Sequence, residues 1–251
     1  MRKRGWIGLA IVGLLALVML APFLYMVSVS LGAYRGALSA LPVTRLFLNS
    51  VVFAGCAAVG QVLTSAAAAY AFARLRFPGR DRLFLLFLSV LMMPAVVLLV
   101  PRFLIIDALG WVDSYAGLIS TELVSVWGIF FLRQSFLTLP RDLEDAARLD
   151  GAGEWTIFRR VMLPQATPAL ATLGLLAFVD QWKSFLWPLI VTRSPEMQVM
   201  EVGLARFHTL YPSNWPYQMA TAVTATLPLL FVFFVAQRYV NRGVPLADSQ
   251  S

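Results

Sequence analysis

Residues that could carry out covalent or metal chemistry are scarce in this sequence. The lysines are Lys3 and Lys183, and neither follows the glycine-rich loop that a P-loop nucleotide site requires. His208 is the sole histidine, which argues against a histidine metal cluster and against a Ser-His-Asp triad. Cys56 is the sole cysteine and forms no intrachain disulfide. We therefore expect no catalytic residue, no metal site and no cofactor.

An acidic segment that ends in glycine is the most distinctive polar feature. Asp142, Glu144 and Asp145 follow Pro140, which suits the first turn of a helix, where acidic groups meet the positive end of the helix dipole. Gly151 can adopt the left-handed conformation that ends a helix. The pattern predicts a short helix whose acidic start suits a basic partner. It leaves open an ordinary amphipathic helix on a membrane surface.

A second polar group, Asp180-Gln-Trp-Lys183, interrupts a long apolar stretch. Asp180 and Lys183 share one face of a predicted helix because they are three residues apart. One interpretation makes Asp180, Gln181, Trp182 and Lys183 candidates for a solute pathway, with Trp182 as a stacking surface, since intramembrane ionisable groups face cavities or bundle interiors. The alternative is a self-neutralising Asp180–Lys183 pair near the membrane interface, with Lys183 extending outward.

Composition indicates a membrane protein. Of 251 residues, 59% are hydrophobic and 13% are charged, and the mean hydropathy is +0.76. Soluble domains carry about 25% charged residues. The net charge of +7 comes from short basic clusters between apolar stretches, a pattern typical of membrane topology and not of nucleic-acid binding.

Six stretches are apolar enough to cross a bilayer as helices of about 20 residues. The predicted helices lie near residues 6–30, 47–73, 83–106, 115–137, 166–192 and 216–239. We therefore expect an all-α integral membrane protein in which residues 1–251 form a single transmembrane domain.

Isolated polar residues within these helices have simple interpretations. Arg102 is expected to extend its side chain to the interface. Glu122 is expected to contact either a companion subunit or a ligand. Gln61, Thr64 and Ser65 lie beside a run of alanines and are expected to support close helix packing.

Lysine and arginine are distributed unevenly about the six predicted helices. One side carries Arg2, Lys3, Arg4, Arg74, Arg76, Arg80, Arg82, Arg133, Arg141, Arg148, Arg159, Arg160, Arg238 and Arg242. The other side carries only Arg35, Arg45, Arg193 and Arg206. The positive-inside rule therefore places both termini and the acidic segment in the cytoplasm.

The acidic segment resembles the EAA loop of ABC-importer permeases, which docks into a cytoplasmic ATPase. Asp145-Ala-Ala occupies the EAA position, Gly151 the glycine position and Leu163-Pro the end of the motif. Aspartate replaces the first glutamate, and Glu144 lies beside it. The resemblance implies ATPase-coupling roles for Glu144, Asp145, Ala146, Ala147, Asp150, Gly151, Leu163 and Pro164.

Four further stretches resemble the smaller membrane subunit of maltose-permease-like carbohydrate importers. They are residues 69–79, 93–110, 181–190 and 202–207. The resemblance covers about residues 45–240 and implies a type I importer permease with a MetI-like core and a coupling helix near 140–153. It also implies a second permease subunit, an ABC ATPase dimer and an extracytoplasmic solute-binding protein as partners in a bacterial or archaeal inner membrane.

Two other classes of function are compatible with a polytopic membrane chain. A secondary transporter would need ion sites at broken helices in internally repeated halves, and no repeat is evident. A membrane scaffold would be stable alone and would recover no ATPase. The transported solute is not encoded, so mono-, di- and oligosaccharides and polyol phosphates stay open.

Overall fold

The computed structural model describes residues 2–40, 42–210 and 213–240. Within these ranges the chain is helical or in loops, and it includes no strand. Arg242 and the polar tail that follows it lie outside the described residues.

The described chain contains fourteen α-helices. They are α1 (Arg2–Ser30), α2 (Tyr34–Ala40), α3 (Val43–Arg74), α4 (Arg80–Ser89), α5 (Leu99–Ala108), α6 (Tyr115–Ile119), α7 (Val126–Thr138), α8 (Asp142–Leu149), α9 (Glu154–Thr156), α10 (Leu163–Gln165), α11 (Thr167–Trp182), α12 (Leu186–Val191), α13 (Met200–Leu210) and α14 (Trp215–Val240). Short 3-10 segments cover Val90–Met92, Ala95–Leu98, Ser120–Glu122 and Pro195–Met197, and a π-helical segment covers Ile157–Met162.

Three single helices are long and apolar enough to span a membrane. They are Ile11–Ser30 within α1, Val43–Arg74 and Trp215–Gln237. Three bent pairs also qualify: Arg80–Met92 with Ala95–Ala108 at 98°, Tyr115–Glu122 with Val126–Thr138 at 42°, and Glu154–Gln165 with Thr167–Trp182 at 77°. Up to six spans result if each pair counts as one. The helices predicted at 83–106, 115–137 and 166–192 are, however, each broken.

Prolines and a capping serine explain these breaks. Pro94 lacks an N–H, its ring would clash with the carbonyl four residues earlier, and Met93 before it is extended, with ψ 127°. Ser125 starts α7 by accepting a hydrogen bond from the Gly128 N–H at 3.0 Å. Pro188 prevents α11 and α12 from joining for the same reason as Pro94.

Helix α3 is the central helix and packs against α7 and α11. Thr64 Oγ1 donates a hydrogen bond to the Leu123 carbonyl at 2.8 Å, which fixes α3 to the start of α7. A Cβ at Gly128 would lie 2.6 Å from Ser65 Oγ, so the two helices approach closely because glycine has no side chain. The predicted packing role of Thr64 and Ser65 is confirmed.

The far end of α3 carries the buried cluster that positions the acidic segment. Its large members are Tyr70, Leu132, Phe136, Ile157, Phe158, Met162 and Leu173. They come from α3, α7, the π-helical segment and α11. Helix α8 packs against the π-helical segment and is thereby held beside the end of α3.

Candidate functional site

Helix α8 forms most of the predicted acidic segment and ends as expected. Gly151 has a φ of 82°, the left-handed conformation in which glycine carries no Cβ penalty. The Gly151 N–H donates to the Arg148 carbonyl at 3.0 Å, and the Ala152 N–H donates to the Ala147 carbonyl at 2.9 Å. These two bonds satisfy carbonyls that the end of the helix would otherwise leave free.

Glu144 is the acidic residue that anchors α8 to the rest of the chain. Its Oε1 lies 3.0 Å from Nε of Arg74, and the two side chains are only 4% and 3% exposed. The Arg74 guanidinium also donates to the carbonyl of Phe136 and, at 2.7 Å, to that of Leu139. One buried arginine therefore joins α3, the end of α7 and α8.

A second, more exposed charge cluster surrounds Arg148. Its guanidinium nitrogens lie 3.0 Å from Glu154, 3.2 Å from Asp145 and 3.5 Å from Glu144. The hydrogen bond to Glu154 raises the pKa of Arg148. The hydroxyl of Tyr70 donates to the other Glu154 oxygen at 2.7 Å, so the cluster connects α8 to α3 a second time.

The outer face of α8 and the start of α9 expose large apolar side chains. Leu149 is 90% exposed and Trp155 is 69% exposed. The Asp145 side chain, also on α8, is 67% exposed. Exposed apolar groups rimmed by polar ones are typical of an interaction surface. Sequence reasoning missed Leu149 and Trp155, although a leucine at the end of a short helix with four charged residues was a usable signal.

The residues predicted from the loop motif divide between two surfaces. Glu144 is buried, and Leu163 packs against the cluster at the end of α3. Asp145, Ala146, Asp150, Gly151 and Pro164 are exposed, and Ala147 is half-buried. Asp145, which occupies the first position of the motif, therefore lies at the surface. Its neighbour Glu144 lies inside the protein.

A cavity of about 480 Å³ lies along α3, α7 and α11. It is lined by Gln61, Ser125, Trp127, Leu173, Leu176, Ala177, Val179, Asp180 and Lys183. Asp180 and Lys183 are exposed here, whereas Gln181 and Trp182 are buried, as the rotation of an α-helix requires.

The two buried members of this group hold α11 in place. Trp182 is 2% exposed and donates its Nε1–H to the Ala225 carbonyl at 3.0 Å, with Phe47 packed edge-on against its ring. Its indole is therefore not presented to the cavity. Gln181 donates Nε2–H to Glu122 Oε2 at 3.0 Å.

Asp180 and Lys183 share a face but form no ion pair with each other, although both lie within the described residues. The predicted self-neutralising pair is therefore not formed. Burial raises the pKa of Glu201 on α13, and the positive charge of Lys183 opposes that rise. Asp180 and Lys183 instead both line the cavity wall.

Arg102 points into the protein, and the expectation that it extends to the interface is wrong. Its guanidinium pairs with the Glu122 carboxylate, donates to Thr121 Oγ1 at 2.6 Å and lies 4.2 Å from the centroid of the Trp187 ring. Glu122 also accepts a hydrogen bond from Gln181. An internal carboxylate and an aromatic face stabilise this partly buried charge, so the side chain does not have to extend to the interface.

Trp127 is a candidate residue that sequence reasoning missed. It is 43% exposed at the cavity, and its ring stacks on Phe131 at 5.3 Å with an interplanar angle of 5°. Within an apolar stretch it was indistinguishable from a lipid-facing tryptophan. The break at Ser125, which starts α7, places it at the cavity.

The sequence of this chain matches a family of known proteins. The family described as "Binding-protein-dependent transport system inner membrane component" matches residues 60–245, a range that includes α8, its buried anchor and the cavity. The chain belongs to this family. It is thus an inner-membrane component of a transport system that depends on a binding protein, and the predicted importer class and all-α membrane fold are confirmed.

Curated relatives of this inner-membrane component are permease proteins. The arabinooligosaccharides transport system permease protein AraQ of Halalkalibacterium halodurans is 38% identical over 198 residues, which cover 79% of this chain and 71% of the relative. The sn-glycerol-3-phosphate transport system permease protein UgpE of Brucella abortus is 37% identical over 202 residues, covering 80% and 72%.

Solved structures share the fold of this inner-membrane component. A bacterial ABC transporter that imports the acidic polysaccharide alginate matches with a TM-score of 0.82 and 24% identity, over 95% of this chain and 96% of that one. A bacterial alginate ABC transporter in complex with an alginate pentasaccharide-bound periplasmic protein matches with a TM-score of 0.70 and 17% identity, over 96% of both chains.

Proposed function

We propose that this chain is one of two permease subunits of an ATP-binding-cassette importer for a carbohydrate that a solute-binding protein delivers. The observation that carries the proposal is the construction of α8, which is fixed internally by Glu144 and Arg74 and exposes Asp145 and Leu149 outward. Relatives named for arabinooligosaccharides support a carbohydrate, and relatives named for sn-glycerol-3-phosphate extend the solute class to polyol phosphates.

The coupling segment transmits movement between a separate ATPase dimer and the membrane helices. Its proposed members are Glu144, Asp145, Ala146, Ala147, Asp150, Gly151, Leu163 and Pro164. Asp145 and Leu149 contact the ATPase from the exposed face of α8. Because Arg74 binds Glu144 and the carbonyls at the end of α7, a displacement of α8 moves α3 and α7 with it. The permease then changes between two states that ATP and solute favour differently.

The cavity along α11 supplies one half of the solute pathway, and the second permease subunit supplies the other. Asp180 and Lys183 offer charged hydrogen-bonding groups at its wall, and Trp127 offers an aromatic surface. Hydroxylated solutes suit such a wall, because an aromatic ring packs against their C–H faces and polar side chains bind their hydroxyls. Gln181 and Trp182 support this wall from behind.

The permease core comprises about residues 45–240, with α8 and both termini on the cytoplasmic side. The uneven distribution of arginine supports this orientation. The solute-binding protein then docks on the opposite side, where the loop at Asp113 and helix α13 lie.

The test is purification of the tagged chain, co-expressed with its chromosomal neighbours, in mild detergent. We expect an ATPase and a second polytopic permease to co-purify. Asp145→Lys reverses the charge on the exposed face of α8 and should abolish recovery of the ATPase while the permease pair is retained. Glu196→Lys, which reverses an exposed charge in the 3-10 segment before α13, is the matched control and should not affect recovery of the ATPase.

Normal ATPase recovery and normal solute uptake with Asp145→Lys would refute the coupling role of α8. Recovery of the wild-type chain alone, or as a homodimer without any ATPase, would refute the importer assignment and support a scaffold.

A further inference from the structure

A basic cleft of about 620 Å³ lies between the loop that joins α3 to α4 and the start of α8. It is lined by Arg76, Phe77, Gly79, Arg80, Asp81, Arg82 and Arg141. Four arginines therefore face one carboxylate. No role in coupling or in the solute pathway accounts for this excess of positive charge.

Three of the four arginines that line the basic cleft lack an acidic partner among the described residues. Arg76 and Arg141 also line the adjoining cleft, but its acidic residues Glu144, Asp145 and Glu154 pair with Arg74 and Arg148 instead. In the basic cleft Arg80 pairs with Asp81 at 3.0 Å. Arg76, Arg82 and Arg141 form no ion pair with any described residue. Three unpaired guanidinium groups around one cleft favour an anionic ligand.

The position of the cleft indicates which anion. Helix α4 begins at Arg80, and beyond its first turn it exposes apolar side chains, with Leu85 64% and Leu86 65% exposed. This helix is the first half of a candidate membrane span. The cleft therefore lies where an apolar helix surface ends, which is the height of lipid headgroups. Phe77 adds an apolar wall beside the guanidinium groups.

We propose that the basic cleft binds the phosphate of an anionic phospholipid headgroup, with the acyl chains lying along α4. A guanidinium group can donate two parallel hydrogen bonds to two oxygens of one phosphate. Basic pockets on the cytoplasmic side of spanning helices suit such headgroups. The proposal rests on membrane insertion with α8 on the cytoplasmic side. It does not depend on the identity of the solute or on ATPase docking, so its failure and that of the proposed function are distinguishable.

The test is native mass spectrometry of the full chain released from nanodiscs that contain phosphatidylglycerol and phosphatidylcholine in equal amounts. We expect the wild-type chain to retain phosphatidylglycerol selectively. Arg76→Gln combined with Arg82→Gln should weaken that retention by about tenfold or more, because each basic residue near the surface contributes to headgroup binding. Arg141 is left unchanged because it directly precedes α8, the helix proposed to dock on the ATPase.

Arg159→Gln combined with Arg160→Gln is the matched control, since it removes two exposed arginines outside the cleft and should retain the lipid. Arg76→Lys combined with Arg82→Lys keeps the charge but loses the paired guanidinium geometry, so it should restore part of the binding, which separates binding from misfolding. An equal loss in the control would overturn the proposal, because diffuse surface charge would then explain the lipid. Absence of selectivity in the wild-type chain would also overturn it.

Two further results would assign the cleft to other ligands. Displacement of the lipid by inorganic phosphate, with the same arginine dependence, would identify a site for free phosphate. Lipid retention unchanged by the Arg76→Gln and Arg82→Gln pair, with loss of ATPase co-purification, would identify a protein-docking surface. Either result would overturn the lipid assignment.

Discussion

Two arginine–glutamate pairs lie at different levels of α3 and have opposite surroundings. Arg74 and Glu144 meet at the end of α3, with side chains 3% and 4% exposed. Arg102 and Glu122 meet beside Gln61, roughly 20 Å away along α3 at 1.5 Å per residue, with side chains 27% and 17% exposed. The first pair is enclosed by backbone carbonyls, whereas the second adjoins the polar side chains of Thr121 and Gln181.

The difference separates a fixed connection from an adaptable one. Removing the Arg74–Glu144 pair from water costs free energy. That cost is offset only while both side chains and the two backbone carbonyls keep the positions in which they contact each other. Such a contact favours one geometry and suits a joint that transmits displacement. The Arg102–Glu122 pair has further partners in Gln181 and in the ring of Trp187, so it can exchange contacts with a smaller change in free energy.

The largest effect is expected from breaking the enclosed pair. Glu144→Gln leaves the Arg74 charge buried without a counter-ion, which we expect to reduce the free energy of unfolding by about 3–5 kcal/mol. The measurement is thermal unfolding of the purified chain in detergent, together with ATPase co-purification. Asp145→Asn is the control, because that exposed side chain contributes at most about 1 kcal/mol. Equal stability of the two variants would mean that the pair does not anchor α8.

The partly exposed pair should tolerate the corresponding change better. Arg102→Gln leaves Glu122 hydrogen-bonded to Gln181, so we expect a loss of about 1–3 kcal/mol in the free energy of unfolding. A double-mutant cycle with Glu122→Gln measures the coupling between the two charges. If the loss equals or exceeds that for Glu144→Gln, the contrast between a fixed and an adaptable pair is wrong.

The end of α8 offers a smaller, purely conformational test. Gly151→Ala places a Cβ on a residue with a φ of 82°, which we expect to cost about 1 kcal/mol and to loosen the turn after α8. Gly153→Ala is a matched control two residues away, because Gly153 has a φ of −74° and open space around it. Thermal unfolding should distinguish the two, and similar values for both would show that the left-handed turn does not contribute.

Sequence reasoning recovered the helical membrane fold and the position of α8, because apolar length and a terminal glycine are local signals. It missed the breaks at Met93 and Ser125, since apolar composition continues through both. It also misjudged Arg102, whose counter-ion Glu122 is 20 residues away along the chain. Contacts of this kind depend on how helices bend and pack, and no single sequence window contains them.

The smallest effect on stability is expected at Asp113. This carboxylate lies outside the spanning helices and serves as a comparison for the two arginine–glutamate pairs. Its Oδ1 accepts hydrogen bonds from the N–H groups of Arg193 at 2.8 Å and Ser194 at 3.0 Å. Burial raises the pKa of Asp113, but these hydrogen bonds and the Arg193 charge outweigh it and hold the pKa below its usual value. A depressed pKa adds stability above the unfolded-state pKa of about 3.9, and that stability is lost as the pH falls through the folded-state value.

We therefore expect Asp113→Asn to reduce stability slightly at neutral pH and the difference from the wild type to narrow below about pH 4. Asparagine tolerates the positive φ of 61° at this position, so backbone strain does not contribute to the change. The measurement is thermal unfolding in detergent across that pH range, with Glu196→Gln as the control for loss of an exposed charge. A difference that stays constant with pH would show that ionised Asp113 does not hold the loop.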